Sequence, residues 1–171
     1  MDELSKNLIV YFSRAGYNYS KGEIVNLEKG FTQKVAEVIQ EVTGADMFKI
    51  EPVEKYSDDY HECVKEARKH KEEDARPDFK DTLGSIDEYE TIYLGYPNYC
   101  STMPMHVWTF IEKYGNLKGK TIRPFCTHGG GGLGDSIEDI KKLCPDAKVE
   151  KALVIVGDNV DNSIELIKEW I

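Results

Sequence analysis

Short apolar runs alternate along the chain with longer segments in which apolar residues recur at helical spacing. The runs are apolar at consecutive positions, which is typical of strands buried on both faces of a parallel sheet. This pattern predicts strands over residues 8–12, 46–50, 91–96, 121–125 and 151–157. Five strands that alternate with five amphipathic helices indicate an α/β fold, a doubly wound sheet with right-handed crossovers.

Capping signals give approximate limits for the helices. The first helix is predicted to begin near Phe31 or Thr32, and Pro104 suits the first turn of the third. The fourth helix should end before Pro145, and an Asn or Asp cap within 159–162 is expected to open the last.

Residues 17–30 form an unusually long connection between the first strand and the first helix. A connection of this length is usually functional or disordered. Its apolar residues Ile24, Val25 and Leu27 lie between Gly22 and Gly30, which predicts a small ordered excursion.

The length and charge of the chain limit its class. A chain of 171 residues is predicted to be one domain, residues 1–171. With 22 basic and 31 acidic residues, the net charge of −9 argues against nucleic acid as a partner. It fits an acidic face that docks on a basic protein, although solubility alone also explains it.

Targeting and metal-binding signals are missing from the sequence. No apolar run approaches the roughly 20 residues that span a bilayer, and the amino terminus lacks a secretory layout. We therefore expect a cytoplasmic protein with no membrane partner. The four cysteines form no CxxC and no cluster with histidine, so we expect reduced thiols and no metal site.

Three strand ends carry candidate ligand-binding residues, and ligands of open parallel sheets bind beyond the carboxyl ends of strands. In "FSRAG" (12–16), the Ser13 hydroxyl and the backbone of Ala15 and Gly16 could hold an anion. Thr32 would add a hydroxyl at the positive end of the first helix. The alternative is an ordinary turn followed by Thr32 as an N-cap.

The third strand runs into "GYPNYCSTMP" (95–104), where Tyr99 offers a flat aromatic cover for a heterocycle. The alternative is that Tyr99 packs against its own domain. The fourth strand runs into five glycines within positions 129–134. Their bare backbone could bring N–H groups to the edge of a planar ligand, or could form only a flexible surface loop.

Two nucleotide-binding motifs are missing from the sequence. There is no GxGxxG after the first strand and no GxxxxGK[ST] anywhere in the sequence. The sequence therefore indicates neither a Rossmann dinucleotide-binding site nor a P-loop nucleotide site.

The segments "YFSRAG" (11–16), "LGYPNYCSTMPM" (94–105) and "FCTHGGGGLGDSIEDIKKLCP" (125–145) resemble the flavodoxin family. The resemblance extends over nearly the whole chain. It implies a five-stranded parallel sheet in the order 2-1-3-4-5, helices on both faces, and one noncovalently bound FMN.

The resemblance also implies which residues bind FMN. The phosphate loop would comprise Ser13, Arg14, Ala15, Gly16 and Thr32. The loop over one face of the ring would comprise Pro97, Asn98, Tyr99, Cys100, Ser101 and Thr102. The loop at the ring edge would comprise Thr127, His128, Gly129, Gly130 and Gly132.

The insertion leaves open which of Tyr17, Asn18 and Tyr19 contacts FMN, and Asn18 is included in the predicted site. Arg14 is expected to contribute its backbone while its side chain points to solvent. Cys100 stands where related sequences often carry a second aromatic residue, so Tyr99 would be the only stacked ring.

The chemistry would belong to the flavin, and no catalytic side chain is predicted, although His128 could tune flavin protonation. The leading hypothesis is a flavodoxin, a monomer or weak dimer that shuttles electrons between a reductase and an acceptor protein. The second is an FMN-dependent NAD(P)H oxidoreductase acting on quinones or similar acceptors. In that case the insertion could form one wall of the substrate-binding site. The third is a flavin-free binding module on the same fold.

Overall fold

A parallel sheet forms the centre of the protein in a computed structural model, which describes residues 6–171. In chain order the strands are β1 (Lys6–Tyr11), β2 (Gly16–Ser20), β3 (Glu23–Leu27), β4 (Asp46–Lys49), β5 (Tyr89–Pro97), β6 (Thr121–His128), β7 (Lys148–Val149) and β8 (Leu153–Val156). The main sheet has the order β4-β1-β5-β6, and both β7 and β8 pair with β6. The strand order implied by the resemblance is therefore confirmed.

The fifth position of the sheet is divided between two short strands. Thr121 and Ile122 pair with β7, and residues from Phe125 onward pair with β8. Pro124 lies between these two paired parts of β6 and has no N–H to offer a neighbouring strand. The predicted strand over 151–157 is confirmed as β8, whereas the apolar pattern does not indicate β7.

The helices lie between the strands, as predicted. They are α1 (Phe31–Thr43), α2 (Tyr60–Glu72), α3 (Met105–Lys113), α4 (Ser136–Leu143) and α5 (Ile164–Trp170). The predicted cap within 159–162 is wrong, because Gly157–Asn162 forms a 3-10 turn and Ser163 is the N-cap of α5. None of the helices among residues 6–171 has the length and apolar character to cross a membrane.

The core is divided between the two faces of the sheet. Side chains alternate along β1, so Leu8 and Val10 pack on the face covered by α3, whereas Ile9 and Tyr11 pack on the face covered by α1. Helices on both faces are therefore confirmed.

The insertion after β1 is a β-hairpin. Strands β2 and β3 pair antiparallel from Gly16 opposite Leu27 to Ser20 opposite Glu23. The two turn residues, Lys21 and Gly22, have φ values of 52° and 79°, as a tight hairpin turn requires. The predicted ordered excursion is thus confirmed, and its form is a second, two-stranded sheet.

Candidate functional site

A cavity of about 440 Å³ opens at the carboxyl ends of β1, β5 and β6. Ten predicted site residues line it: Arg14, Asn18, Pro97, Asn98, Tyr99, Cys100, Ser101, Thr127, His128 and Gly129. Seven predicted site residues do not: Ser13, Ala15, Gly16, Thr32, Thr102, Gly130 and Gly132. Residues of all three predicted loops therefore meet at one cavity.

The end of β1 is joined to the start of α1. The Ser13 hydroxyl accepts a hydrogen bond from the Gln33 N–H at 3.1 Å, and so caps α1 from a distant segment. Gly30 is the N-cap residue, and a Cβ there would overlap Ser13 Oγ and lie 2.7 Å from the Arg14 carbonyl oxygen. The alternative prediction that Thr32 is the N-cap of α1 is therefore wrong. Only glycine fits at the N-cap position, because the chain there passes close to the end of β1.

The side chain of Arg14 is tied to the protein and does not point to solvent. Its guanidinium donates to the carbonyl oxygens of Ser57 at 2.8 Å and Asp58 at 3.0 Å, and also to that of Tyr17. The expectation of a solvent-directed side chain is wrong, because the hairpin and the loop before α2 supply carbonyl acceptors that the local sequence does not show.

Tyr99 belongs both to the cavity wall and to the aromatic core. Its ring lies 5.8 Å from that of Phe12 and 6.0 Å from that of Tyr56, between centroids. Burial raises the pKa of Tyr99 well above its ordinary value, and the nearby Cys63 thiol acts in the same direction. The ring is thus held rigidly at the cavity by packing on its own domain.

A tight turn follows Tyr99. Cys100 and Ser101 have φ values of 54° and 69°, and reciprocal backbone hydrogen bonds between Tyr99 and Thr102 close the turn. Left-handed backbone at non-glycine residues costs about 1–3 kcal/mol each and persists only where neighbouring structure enforces it. Here Lys71 donates to the Cys100 carbonyl at 2.5 Å, and Asn98 Oδ1 accepts from the Ser101 N–H at 2.9 Å.

The glycine-rich loop after β6 packs directly on the loop after β5. Asn98 Nδ2 donates to the Gly132 carbonyl at 2.8 Å. A Cβ at Gly134, whose φ is 54°, would lie 2.7 Å from the Ser101 Cα. Part of the glycine run is therefore required by the close approach of two backbones, not by flexibility.

His128 has a defined hydrogen-bonding role in this loop. Its Nδ1 accepts from the Gly130 N–H at 3.0 Å, and burial lowers its pKa. A neutral ring that accepts at Nδ1 carries its proton at Nε2. His128 therefore presents an N–H donor beside the cavity at neutral pH.

Eight further residues line the cavity and were not predicted as site residues: Tyr19, Phe31, Tyr60, Cys63, Val64, Ala67, Arg68 and Gly131. Most lie on one face of α2, where the apolar spacing indicates ordinary core residues and gives no sign of a cavity wall. For Tyr19 the only available signal was its place in the insertion, which also contains Tyr17 and Asn18.

Comparison with known proteins identifies relatives over nearly the full length. The sequence profile of the family described as Flavodoxin matches residues 24–171. A candidate flavoprotein from Bacteroides uniformis is 25% identical, with a TM-score of 0.74 over 97% of this chain and 99% of that one. Another, from Bacteroides eggerthii, is 27% identical, with a TM-score of 0.73 over 96% and 99%.

A more distant structure shares the fold. It is a flavoprotein from Lactobacillus acidophilus in complex with FMN, 17% identical, with a TM-score of 0.66 over 93% of this chain and 98% of that one. No curated protein sequence matches this chain significantly.

Proposed function

Since this chain belongs to the flavodoxin family, we propose that it binds one FMN noncovalently at the carboxyl ends of β1, β5 and β6. We further propose that it carries electrons on this FMN between redox proteins. One observation carries the proposal: loops that are far apart in sequence, after β1, β5 and β6, meet at a single cavity.

The residues at the start of α1 fit a phosphate group. The hydroxyls of Ser13 and Thr32 lie at the helix N-terminus, where the first N–H groups lack partners within the helix. Gly30 allows the Ser13 hydroxyl and the Arg14 carbonyl to approach the start of α1, where any Cβ would overlap them. These neutral donors and the helix dipole would hold a dianion without a lysine or arginine side chain.

The remaining walls fit a flat polar ring. Tyr99 provides an immobilised aromatic surface, and the loop from Thr127 to Gly131 provides backbone N–H groups and the neutral His128 Nε2–H as edge donors. These residues would orient the ring and exclude water from one side of it. Bound FMN would supply the electron-accepting and electron-donating chemistry.

A second candidate function is an FMN-dependent reductase that passes electrons from NAD(P)H to small acceptors such as quinones. The observation that favours it is the hairpin, whose Asn18 and Tyr19 line the cavity. Such a wall would border the space for a small substrate within one subunit.

One experiment tests the binding and then separates the two functions. The purified protein is loaded with FMN, its dissociation constant is measured by flavin fluorescence, and it is titrated anaerobically with dithionite or with NADPH. A carrier is expected to be reduced by dithionite in two resolved one-electron steps and to be unaffected by NADPH. Direct two-electron reduction by NADPH would identify a reductase, and failure to bind FMN would overturn both.

A further inference from the structure

We propose that the cavity wall built by Tyr19, Tyr60 and Arg68 is a second ligand site, for a flat aromatic molecule that carries a negative charge. The proposal rests on the FMN binding proposed above and specifies the class of small molecule that would meet the flavin. Tyr60 and Arg68 lie outside the segments assigned to FMN, and Tyr19 follows Asn18, the one insertion residue included in the predicted FMN site.

One face of α2 forms most of this wall. Tyr60, Val64 and Ala67 are spaced four and three residues apart, so they lie along one side of the helix and line the cavity together with Arg68. Small apolar side chains between a tyrosine and an arginine leave a shallow surface. A flat molecule fits such a surface better than a bulky one does.

Two tyrosine rings stand at this wall with accessible surface. The rings of Tyr19 and Tyr60 lie 6.4 Å apart between centroids and are inclined by 30°. Tyr19 keeps 42% of its surface exposed, although its ring lies within 3.0 Å of the position of a Cβ at Gly129. Exposed aromatic faces beside a cavity favour stacking on another flat ring.

The hairpin that carries Tyr19 is fastened at its base and at its tip. At the base, Asn18 Nδ2 donates to the Arg14 carbonyl at 2.9 Å, and the Arg14 guanidinium donates to the Tyr17 carbonyl. At the tip, the Lys21 N–H donates to Asp158 Oδ2 at 3.0 Å. Tyr19 is therefore held in place before a ligand arrives, which lowers the entropy cost of binding.

The charge of the wall differs in sign from that of the chain. The chain has 31 acidic residues, yet the lining includes two arginines and no aspartate or glutamate. Arg14 is occupied by carbonyl oxygens, whereas Arg68 makes no hydrogen bond or ion pair with any residue in 6–171. Arg68 is exposed to solvent and lines the cavity, so its guanidinium is free to bind a carboxylate, sulfonate or phosphate.

The anion at Arg68 has two possible sources, a second ligand or the phosphate of FMN itself. The groups that fit the FMN phosphate are Ser13 and Thr32 at the start of α1, whereas Arg68 lies on α2, which packs on the opposite face of the sheet from α1. We therefore assign Arg68 to the second ligand, and the test compares the two sources directly.

The test uses the FMN-loaded protein in its oxidised state and equilibrium dialysis with two probes, a naphthoquinone sulfonate and the uncharged menadione. The wild type is expected to bind the sulfonate more tightly. Arg68→Gln should weaken sulfonate binding about two- to fivefold, the effect of an exposed ion pair, and leave menadione binding unchanged. Tyr19→Leu should weaken both probes, and Lys69→Gln, the neighbouring cation outside the lining, should weaken neither.

The same variants are compared for FMN and riboflavin, which differ by the phosphate. If Arg68→Gln weakens FMN but not riboflavin, Arg68 holds the cofactor phosphate and the proposal is overturned. The proposal is also overturned if the wild type binds both probes equally. It is likewise overturned if Lys69→Gln weakens sulfonate binding as much as Arg68→Gln does. Failure of the wild type to bind FMN is a separate result, which overturns the proposed function instead.

Discussion

The hydroxyl oxygens of Thr32 and Thr127 lie 2.8 Å apart in the interior, although 95 residues separate them in the sequence. Thr32 is in the first turn of α1, and Thr127 is near the end of β6, where both side chains are buried. This hydrogen bond joins the segment assigned to the phosphate to the segment assigned to the ring edge. The two halves of the proposed FMN site are thus held in a fixed relationship before FMN binds.

Replacing Thr127 by Val should destabilise the protein, because the isosteric change leaves the buried Thr32 hydroxyl without its partner. An unsatisfied buried polar group costs about 1–3 kcal/mol. We expect the free energy of unfolding in urea, measured without FMN, to fall by about that amount. Thr82→Val, at an exposed position, is the control and should change little.

The double variant Thr32→Val with Thr127→Val tests whether the two hydroxyls act as a pair. Its loss of stability should be smaller than the combined losses of the single variants, because no hydroxyl is then left unpaired. Strictly additive losses would show that the two side chains contribute independently, contrary to the structure.

Replacing Gly30 by Ala should disrupt the junction between β1 and α1. The new Cβ would overlap Ser13 Oγ and press on the Arg14 carbonyl, a backbone atom that cannot rotate away. Overpacking of this kind costs typically 1–3 kcal/mol, and the movement should weaken FMN binding as well. Urea denaturation and flavin fluorescence measure the two effects.

The control for Gly30→Ala is Glu28→Ala, an exposed change two residues earlier in the same connection. It should alter neither the free energy of unfolding nor the affinity for FMN. Wild-type FMN affinity in Gly30→Ala would show that the phosphate is not held at this junction.

The general architecture could be predicted from the sequence because buried strands leave a simple signal. Consecutive apolar residues such as Leu8 to Phe12 can be buried only between two layers, and the helical spacing after them supplies those layers. The strand β7 left no such signal, since Val149 is its only apolar residue. Its pairing depends on β6 beside it, which a local pattern does not contain.

The loops of the candidate site could be predicted from the sequence, whereas the side-chain contacts between distant segments could not. Turn residues such as Pro97 and the glycines after β6 mark special backbone, and several of them line the cavity. The orientation of the Arg14 side chain and the contribution of Tyr60 depend on segments brought together by folding. The spacing of α2 alone identifies a buried face without showing whether a core or a cavity lies against it.

Among the four cysteines, we expect only Cys100 to react with a thiol reagent in the native protein. Burial raises the pKa of Cys63 to about 11 and those of Cys126 and Cys144 to about 12, and all three are buried. The reactive thiolate is therefore scarce at these three positions. Cys100 is partly exposed and lines the cavity.

A colorimetric disulfide reagent at pH 8 should titrate one thiol in the native protein and all four in denaturant. Cys100→Ser should leave none titratable in the native state, and FMN should protect Cys100 in the wild type. Rapid reaction of a second thiol would contradict the burial of Cys63, Cys126 and Cys144.

His106 should make the protein sensitive to mild acid. Its side chain is fully buried beside Phe12, Tyr56 and His70, and neither ring nitrogen has a hydrogen-bond partner among the described residues. Burial, and then the nearby His70, lowers the pKa of His106 to about 4, against about 6.5 in an unfolded chain.

The sign of the pH effect follows from proton binding. Between pH 6.5 and 4 the unfolded chain binds a proton at this position and the folded protein does not, so the free energy of unfolding falls as the pH falls. His106 therefore leaves the free energy of unfolding unaffected above pH 6.5. Between pH 6.5 and about pH 4 it lowers the free energy of unfolding by an amount on the order of 3 kcal/mol.

Urea denaturation between pH 4 and pH 8 measures this loss, and His106→Leu should reduce the pH dependence in that window because a neutral side chain of similar size replaces the ring. The control is His61→Gln, which removes an exposed histidine from the same protein. If His106→Leu and the wild type lose stability in parallel, the acid sensitivity must come from other groups. If the stability of His106→Leu alone is insensitive to acid, the buried histidine beside Phe12 and Tyr56 sets the lower pH limit of the fold.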